Sequence, residues 1–277
     1  MMRVTTVDMF GAAPGRGSAL DVLVPTAARA EDAARTAAEF ARRSDSCETV
    51  LVDECCRTRK TFASRIFNAA GETPFASHSL AGVAACLVGT GRLAPGKVGR
   101  TAAAGTQWLW TDGNEVRVPF DGPAVRQEPA YEAAEFGWAT GESHAGGVGR
   151  AFNFVRVSAD PRGLPVPDLD RMRELEVTDL TAFRWDPARR EVLACVFAPG
   201  FGIPEDAGCL PAAAALGVAA LQLGAPDSAP LTIRQVTRHG TESIFGCTGS
   251  LRDGSARVRI NGQVWVPGDD DQKACEA

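Results

Sequence analysis

The stretch RIFNAAGETPFASHSLAGVAACLVGTGRL, residues 65–93, decides how the rest of the chain is read. It opens as a strand over 65–67 and breaks at Gly71-Glu72-Thr73-Pro74. It restarts at Ser77 or Ser79 as a helix of small and apolar residues, which Gly89 and Gly91 end. A serine at such a start can accept a backbone N–H that the first turn leaves unpaired. No residue from Leu80 to Val88 is charged, so this helix is expected to be buried on all sides instead of amphipathic. His78 then lies where a central helix begins, at the positive end of its dipole, a natural place for an anion.

The same pattern is written again at residues 195–224, CVFAPGFGIPEDAGCLPAAAALGVAALQLG. A strand ending at Phe197 leads through a Gly/Pro turn and the acidic pair Glu205-Asp206 to a second uncharged helix, about 211–223, closed by Gly224. Proline in its first turn is well placed, because the missing N–H would have had no partner there. Strand, turn, polar cluster and buried helix recurring half a chain apart predict two similar domains, each wrapped around one helix. Any buried Ala-rich helix would share part of this pattern.

Composition sets the outer bounds. The chain has 277 residues and a formal net charge of −5, with no block of basic residues, so nucleic acid and anionic membranes are poor partners. The opening MMRVTTVDMF alternates like a strand and lacks the apolar run of a signal peptide, and no stretch reaches the roughly 20 apolar residues of a membrane span. A soluble, cytoplasmic protein is expected. Eight cysteines without a C-x-x-C pair, and only three histidines, fit no zinc framework. The thiols are expected reduced and mostly in the core, and no metal is expected.

Five pieces, in order, resemble one family. FNAAGETPFASHSLAG (67–82) is similar to the F-x-P-x-x-E-L-P-F-A-G-H-P-T-x-G signature of the PhzF-like phenazine-biosynthesis proteins, and FAPGFGIPEDAGCLPAAAALG (197–217) to their F-x-P-x-x-G-x-x-E-D-P-A-T-G-S-A partner. VTTVDMFGAAPGRGSAL (4–20) resembles the family's opening strand and turn. SCETVLV (46–52) resembles the S-E-T-x-F-V strand that carries its catalytic glutamate, and VRINGQVWVPGD (258–269) its last hairpin. The resemblance implies an α+β, diaminopimelate epimerase-like fold: two domains, each a curved mixed β-sheet or barrel around a central helix, with the site in a cleft between them. The domains would be 1–122 and 123–262, with the last strand, 263–277, a candidate to join the first. The Pro/Gly-bearing passage 121–129 reads as the hinge.

By pattern alone Glu48 is a charged residue at a strand start, which is usually solvated. The resemblance makes it the acid/base glutamate, whose affinity for protons a partly dry cleft would move toward the working pH. A lone histidine such as His78 is ordinarily a cap or a core hydrogen-bonder, and Glu205-Asp206 before a helix an ordinary dipole pairing. The resemblance implies that His78 lies in the substrate cleft and that Asp206 faces Glu48 across it. It assigns Ser18, Ser77, Ser79, Gly208 and Cys209 to the turns that bind substrate. His144 and His239, in glycine-flanked segments, read as surface residues.

Departures from the family pattern bear on the substrate. Family G-N-P is Gly17-Ser18-Ala19 here, G-H-P-T is Ser77-His78-Ser79-Leu80, and A-T-G-S is Gly208-Cys209-Leu210-Pro211. Pro211 removes a backbone donor and Leu210 adds bulk where glycine stood, so the second anion cradle is altered. Cys209 raises a rival mechanism, because the wider superfamily includes racemases with two facing cysteines. Ala76-Ser77, the counterpart, offers no thiol.

The reading is therefore a cofactor-independent isomerase that shifts a double bond in a small unsaturated carboxylic or amino acid, with Glu48 moving the proton. Secondary metabolism and an alkylated pyrroline carboxylate are the finer expectation, and relatives imply a homodimer. The alternatives are a Cys-based racemase or epimerase and a non-catalytic small-molecule-binding homologue.

Overall fold

The computed structural model describes residues 2–26, 30–46, 48–73, 77–129, 131–138, 140–201 and 203–268, the side chains of Ala30, Glu31, Ser77 and His78 excepted. The chain divides into two compact units, 1–118 with 262–277, and 119–261.

The first unit contains β1 (Met2–Met9), β2 (Ser18–Pro25), α1 (Ala30–Ala41), β3 (Glu48–Cys56), β4 (Thr61–Asn68), β5 (Gly71–Thr73), α2 (Ser77–Gly89), β6 (Gly96–Ala102) and β7 (Gly105–Thr111). The strand β8 (Glu115–Gln127) carries the chain into the second unit. There follow β9 (Glu142–Val148), β10 (Phe152–Arg156), α3 (Leu169–Glu174), β11 (Leu180–Asp186), β12 (Glu191–Ala198), β13 (Ile203–Asp206), α4 (Leu210–Gln222), β14 (Leu231–Val236) and β15 (Glu242–Arg252). The last strand, β16 (Ser255–Trp265), returns to the first unit.

In the first unit β1–β2 are antiparallel, β2–β3 parallel, β3–β4 antiparallel, β4–β6 parallel and β6–β7 antiparallel. In the second, β9–β10, β10–β11, β11–β12, β12–β14 and β14–β15 follow the same alternation. Short β5 pairs with β4 just before α2, and short β13 with β12 just before α4. The two halves thus repeat one mixed sheet around one helix. Helix α2 packs on β1, β2, β3, β6 and β7, and α4 on β9, β12, β14 and β15.

Both central helices are buried as their composition requires. All of 80–88 is buried along α2, and so is Leu210 with 212–220 along α4. Along these buried runs there is no charged or long polar side chain, so neither has a face that gains by meeting water and a surrounding sheet is the stable partner. Pro211 sits in the first turn of α4, and Gly224 takes the left-handed conformation, φ +98°, just past its end. Helix α1 is amphipathic and covers the first sheet from outside. It buries Ala33, Ala37 and Ala41 on Leu23, Leu51 and Phe67, with Ala34 and Ala38 only partly covered.

Several sequence expectations need correction. Strand β3 does not stop at Val52 before the acidic Asp53-Glu54. A bulge between Val52 and Glu54 lets the pairing with β4 continue to Cys56. The expected hinge at 121–129 is extended through Gln127 and pairs with β9, because Pro123 and Gly122 lie where β8 tolerates them. Strands β6 and β9, rich in glycine or polar residues, had no apolar alternation to announce them. His144 is no surface loop residue. It lies in β9, half-buried, its ring 5.2 Å from that of Phe154 and 5.5 Å from that of Phe183, and burial lowers its pKa below 6.5. His239 is exposed in a turn. Cys86, Cys195 and Cys247 are core residues whose thiols burial pushes up to about 12. Cys47, Cys275 and the polar tail from 269 lie outside the described residues.

Candidate active-site groups in the two units

Glu48 is the first residue of β3 and is only 3 % exposed, contrary to what a charged residue at a strand start predicts. Its place follows from register: β3 runs parallel to β2 with Glu48 beside Leu20, and the apolar face of that pair lies on the core. The Ser79 hydroxyl, in the first turn of α2 and equally buried, donates a hydrogen bond to Glu48 Oε2. Ser18 opens β2 and is buried as well, on the same strand face as Leu20. The structure therefore brings Glu48 and Ser79 into contact. The side chains of Ser77 and His78, and residue Ala76, lie outside the described residues.

Asp206 ends β13 and is 5 % exposed; its Oδ1 accepts the Gly208 N–H at 2.8 Å. The acidic pair is thus not a solvated ornament of the helix dipole. Asp206 ties down the turn into α4, while Glu205 faces away and accepts the Arg238 N–H at 3.0 Å. Cys209 is the N-cap residue of α4. Its N–H donates to Gln235 Oε1 at 2.7 Å, and its carbonyl accepts from Gln235 Nε2 at 2.8 Å. This two-point clamp comes from β14, and Gln235 is completely buried.

Burial, and secondarily the Asp206 charge, push the Cys209 thiol well above the usual thiol range. The Ala212 N–H works in the opposite direction without overcoming burial. A thiol in that state is a poor base and a poor nucleophile.

The repeated sheet reveals a residue pair that local reading missed. Thr49 pairs with Phe67 in the first unit, and Leu180 with Phe197 in the second, so Asp179 stands in the second unit where Glu48 stands in the first. Carrying the registers β2–β3 and β10–β11 back in the same way puts Arg150 at the position of Ser18. Asp179 is 5 % exposed and accepts the Asn153 N–H at 3.1 Å. Desolvation raises its pKa, against the lowering effects of that hydrogen bond and of Arg150. Arg150 Nη2 lies 3.8 Å from Asp179 Oδ1. The signal was available: an acidic residue precedes both Phe67 and Phe197 by about one hairpin.

A cavity of about 450 Å³ in the second unit is lined by Thr140, Gly141, Glu142, Arg156, Ser158 and Trp185 among others, and holds none of the candidate residues. Its Arg156 is already paired with Glu142 at 2.6 Å. Among the described residues no group of three or more His, Cys, Asp or Glu could hold a metal ion, and no helix is long and apolar enough to cross a membrane.

No protein-family model and no curated protein matches the chain. Solved structures do. A PhzF family phenazine biosynthesis protein of Enterococcus faecalis superposes with a TM-score of 0.74 at 17 % identity, covering 97 % of this chain and 98 % of its own. One from Bacillus anthracis gives 0.72 at 14 % identity, with the same coverage. A hydroxyproline epimerase of Agrobacterium vitis, solved with trans-4-hydroxy-L-proline, gives 0.60 at 15 % identity over 96 % of this chain and 90 % of its own. The α+β architecture expected from the sequence is thereby established: over nearly its whole length this chain has the fold of the PhzF family proteins.

Proposed function

We propose that the protein is a PhzF-like isomerase that works without a cofactor, moving a proton and shifting a double bond in a small unsaturated carboxylic or amino acid. The observation that carries this reading is the buried Glu48 carboxylate held by the Ser79 hydroxyl at the start of a central helix. Glu48 removes a proton next to the unsaturated carbon and returns it further along the conjugated system. A hydroxyl partner suits this cycle, because it can donate to the carboxylate and accept from the carboxylic acid. Asp206 and His78 orient the substrate, and Ser18, Ser77, Ser79, Gly208 and Cys209 form the turns around it. The likeness to PhzF family proteins and to a hydroxyproline epimerase supports proton transfer on a small acid. The finer reading is an alkylated pyrroline carboxylate on an antibiotic pathway, handled by a cytoplasmic homodimer.

The test is incubation with a dienyl pyrroline carboxylic acid in deuterated water. A shifted absorbance and one incorporated deuterium are expected, and absence of both removes this substrate.

A second reading, a carboxylate-binding homologue without catalysis, draws on the turn into α4. There the Gly208 and Cys209 N–H groups already serve Asp206 and Gln235, and Pro211 has none. If Glu48→Gln and wild type bind a carboxylate alike and neither exchanges its protons with solvent, that reading holds. The Cys-based racemase is disfavoured by the raised thiol of Cys209.

A further inference from the structure

The turn into α4 keeps few of its backbone donors for an anion. Of positions 208 to 211, the N–H of Gly208 is bound by Asp206, that of Cys209 by Gln235, and Pro211 has none. Arg150 lies in the turn between β9 and β10. Strand β9, which leads into that turn, packs on α4: a methyl group on its Gly147 would stand 3.3 Å from the Ala215 side chain in the second turn of the helix. The Arg150 guanidinium lies 4.1 Å from the centre of the Phe152 ring and 5.6 Å from that of Phe201, which is an exposed aromatic side chain. On the remaining side stands the buried Asp179 at 3.8 Å, a separation that orients the cation without occupying its hydrogen-bonding fork.

Resting on the isomerase reading for the identity of the ligand, we propose that Arg150 binds the carboxylate of the substrate, with Asp179 as the residue that positions it. The guanidinium offers two parallel donors to a carboxylate, which makes up for the Gly208 and Cys209 N–H groups already committed. The flanking rings of Phe152 and Phe201 favour a flat, unsaturated acid over a flexible aliphatic one. The equivalent position in the first unit holds Ser18, so one half of the repeat carries the cation and the other the proton-transfer carboxylate.

The probes are pyrrole-2-carboxylate and the uncharged pyrrole-2-carboxamide, titrated calorimetrically into wild type, Arg150→Gln, Arg150→Lys and Glu48→Gln. Wild type and Glu48→Gln should prefer the carboxylate. Arg150→Gln should bind it about tenfold to a hundredfold more weakly while binding the carboxamide unchanged, and Arg150→Lys should recover part of the loss. Thermal unfolding of the half-exposed Arg150 variants checks that they remain folded. Wild type that does not prefer the carboxylate, or Arg150→Gln that binds it as tightly as wild type, overturns the proposal. Because no turnover is read, an Arg150-dependent preference together with failed deuterium uptake would sink the isomerase reading and leave this one standing.

Discussion

At the head of β3 the Glu48 carboxylate takes a hydrogen bond from Ser79; at the equivalent place before β11 the Asp179 carboxylate faces Arg150. The scaffold is the same in both units, with the same alternation of parallel and antiparallel pairs and one buried helix in each. The partners differ in what they allow. A hydroxyl can donate or accept, so it serves a carboxyl group in both protonation states, whereas a guanidinium only donates and favours the charged one. On the proposed reading the repeat is divided between a group suited to cycling a proton and an ion pair suited to holding an anion. The turn into α4, closed on itself by Asp206 and Gln235, carries the same division.

The largest effect expected from breaking this comparison is at Glu48. Glu48→Gln should lower solvent-deuterium incorporation by at least about a hundredfold, whereas Asp179→Asn should mainly weaken carboxylate binding. NMR of the product and a substrate titration separate the two, and equal losses of incorporation would erase the asymmetry. Next comes the clamp: Gln235→Leu strands the Cys209 N–H, while the Cys209 carbonyl keeps the Ala213 N–H at 2.9 Å, and should cost roughly 1–3 kcal/mol in urea unfolding. At Gly82 and Gly217 the neighbours would have to give way to a methyl group, since a Cβ on Gly82 would meet the Leu20 and Met9 side chains at 2.5 Å and one on Gly217 would meet Cys247 Sγ at 2.6 Å. Gly82→Ala and Gly217→Ala should each destabilise by about 1–3 kcal/mol, less what alanine returns in helix propensity.

A smaller, pH-dependent effect belongs to His144. Its pKa is lowered in the folded protein by burial, so the unfolded chain takes up its proton first as pH falls. Stability should decline from about pH 6.5 downward until the lowered native value is reached, and His144→Phe should flatten that part of a melting-temperature profile. The smallest effect is expected at Cys209. Because its thiol is held protonated at neutral pH, Cys209→Ser should leave turnover unchanged, and a large loss would revive thiol chemistry.

Much of this was legible in residues 65–93 and 195–224, because both helices and their closing glycines are written in local composition. Glu48 was recognisable only by its likeness to a family strand; its own surroundings in sequence read as solvent-facing. The Glu205-Asp206 pair read as a dipole partner, and only the pairing of β13 with β12 separated Asp206, turned to Gly208, from Glu205, turned to Arg238. Gln235 and Arg150 gave no local signal. One is a polar residue in an alternating strand and the other an arginine in a glycine turn, each meaningful through a partner far along the chain.

By itself the sequence determined two uncharged helices that had to be enclosed, since transferring them to water has no compensating polar face. Tertiary structure alone decided which polar groups meet inside those enclosures. The packing of β3 on α2 brings Glu48 to Ser79, that of β14 on α4 brings Gln235 to Cys209, and the end of the β9–β10 hairpin brings Arg150 to Asp179, all of them meetings of distant segments that no single stretch encodes.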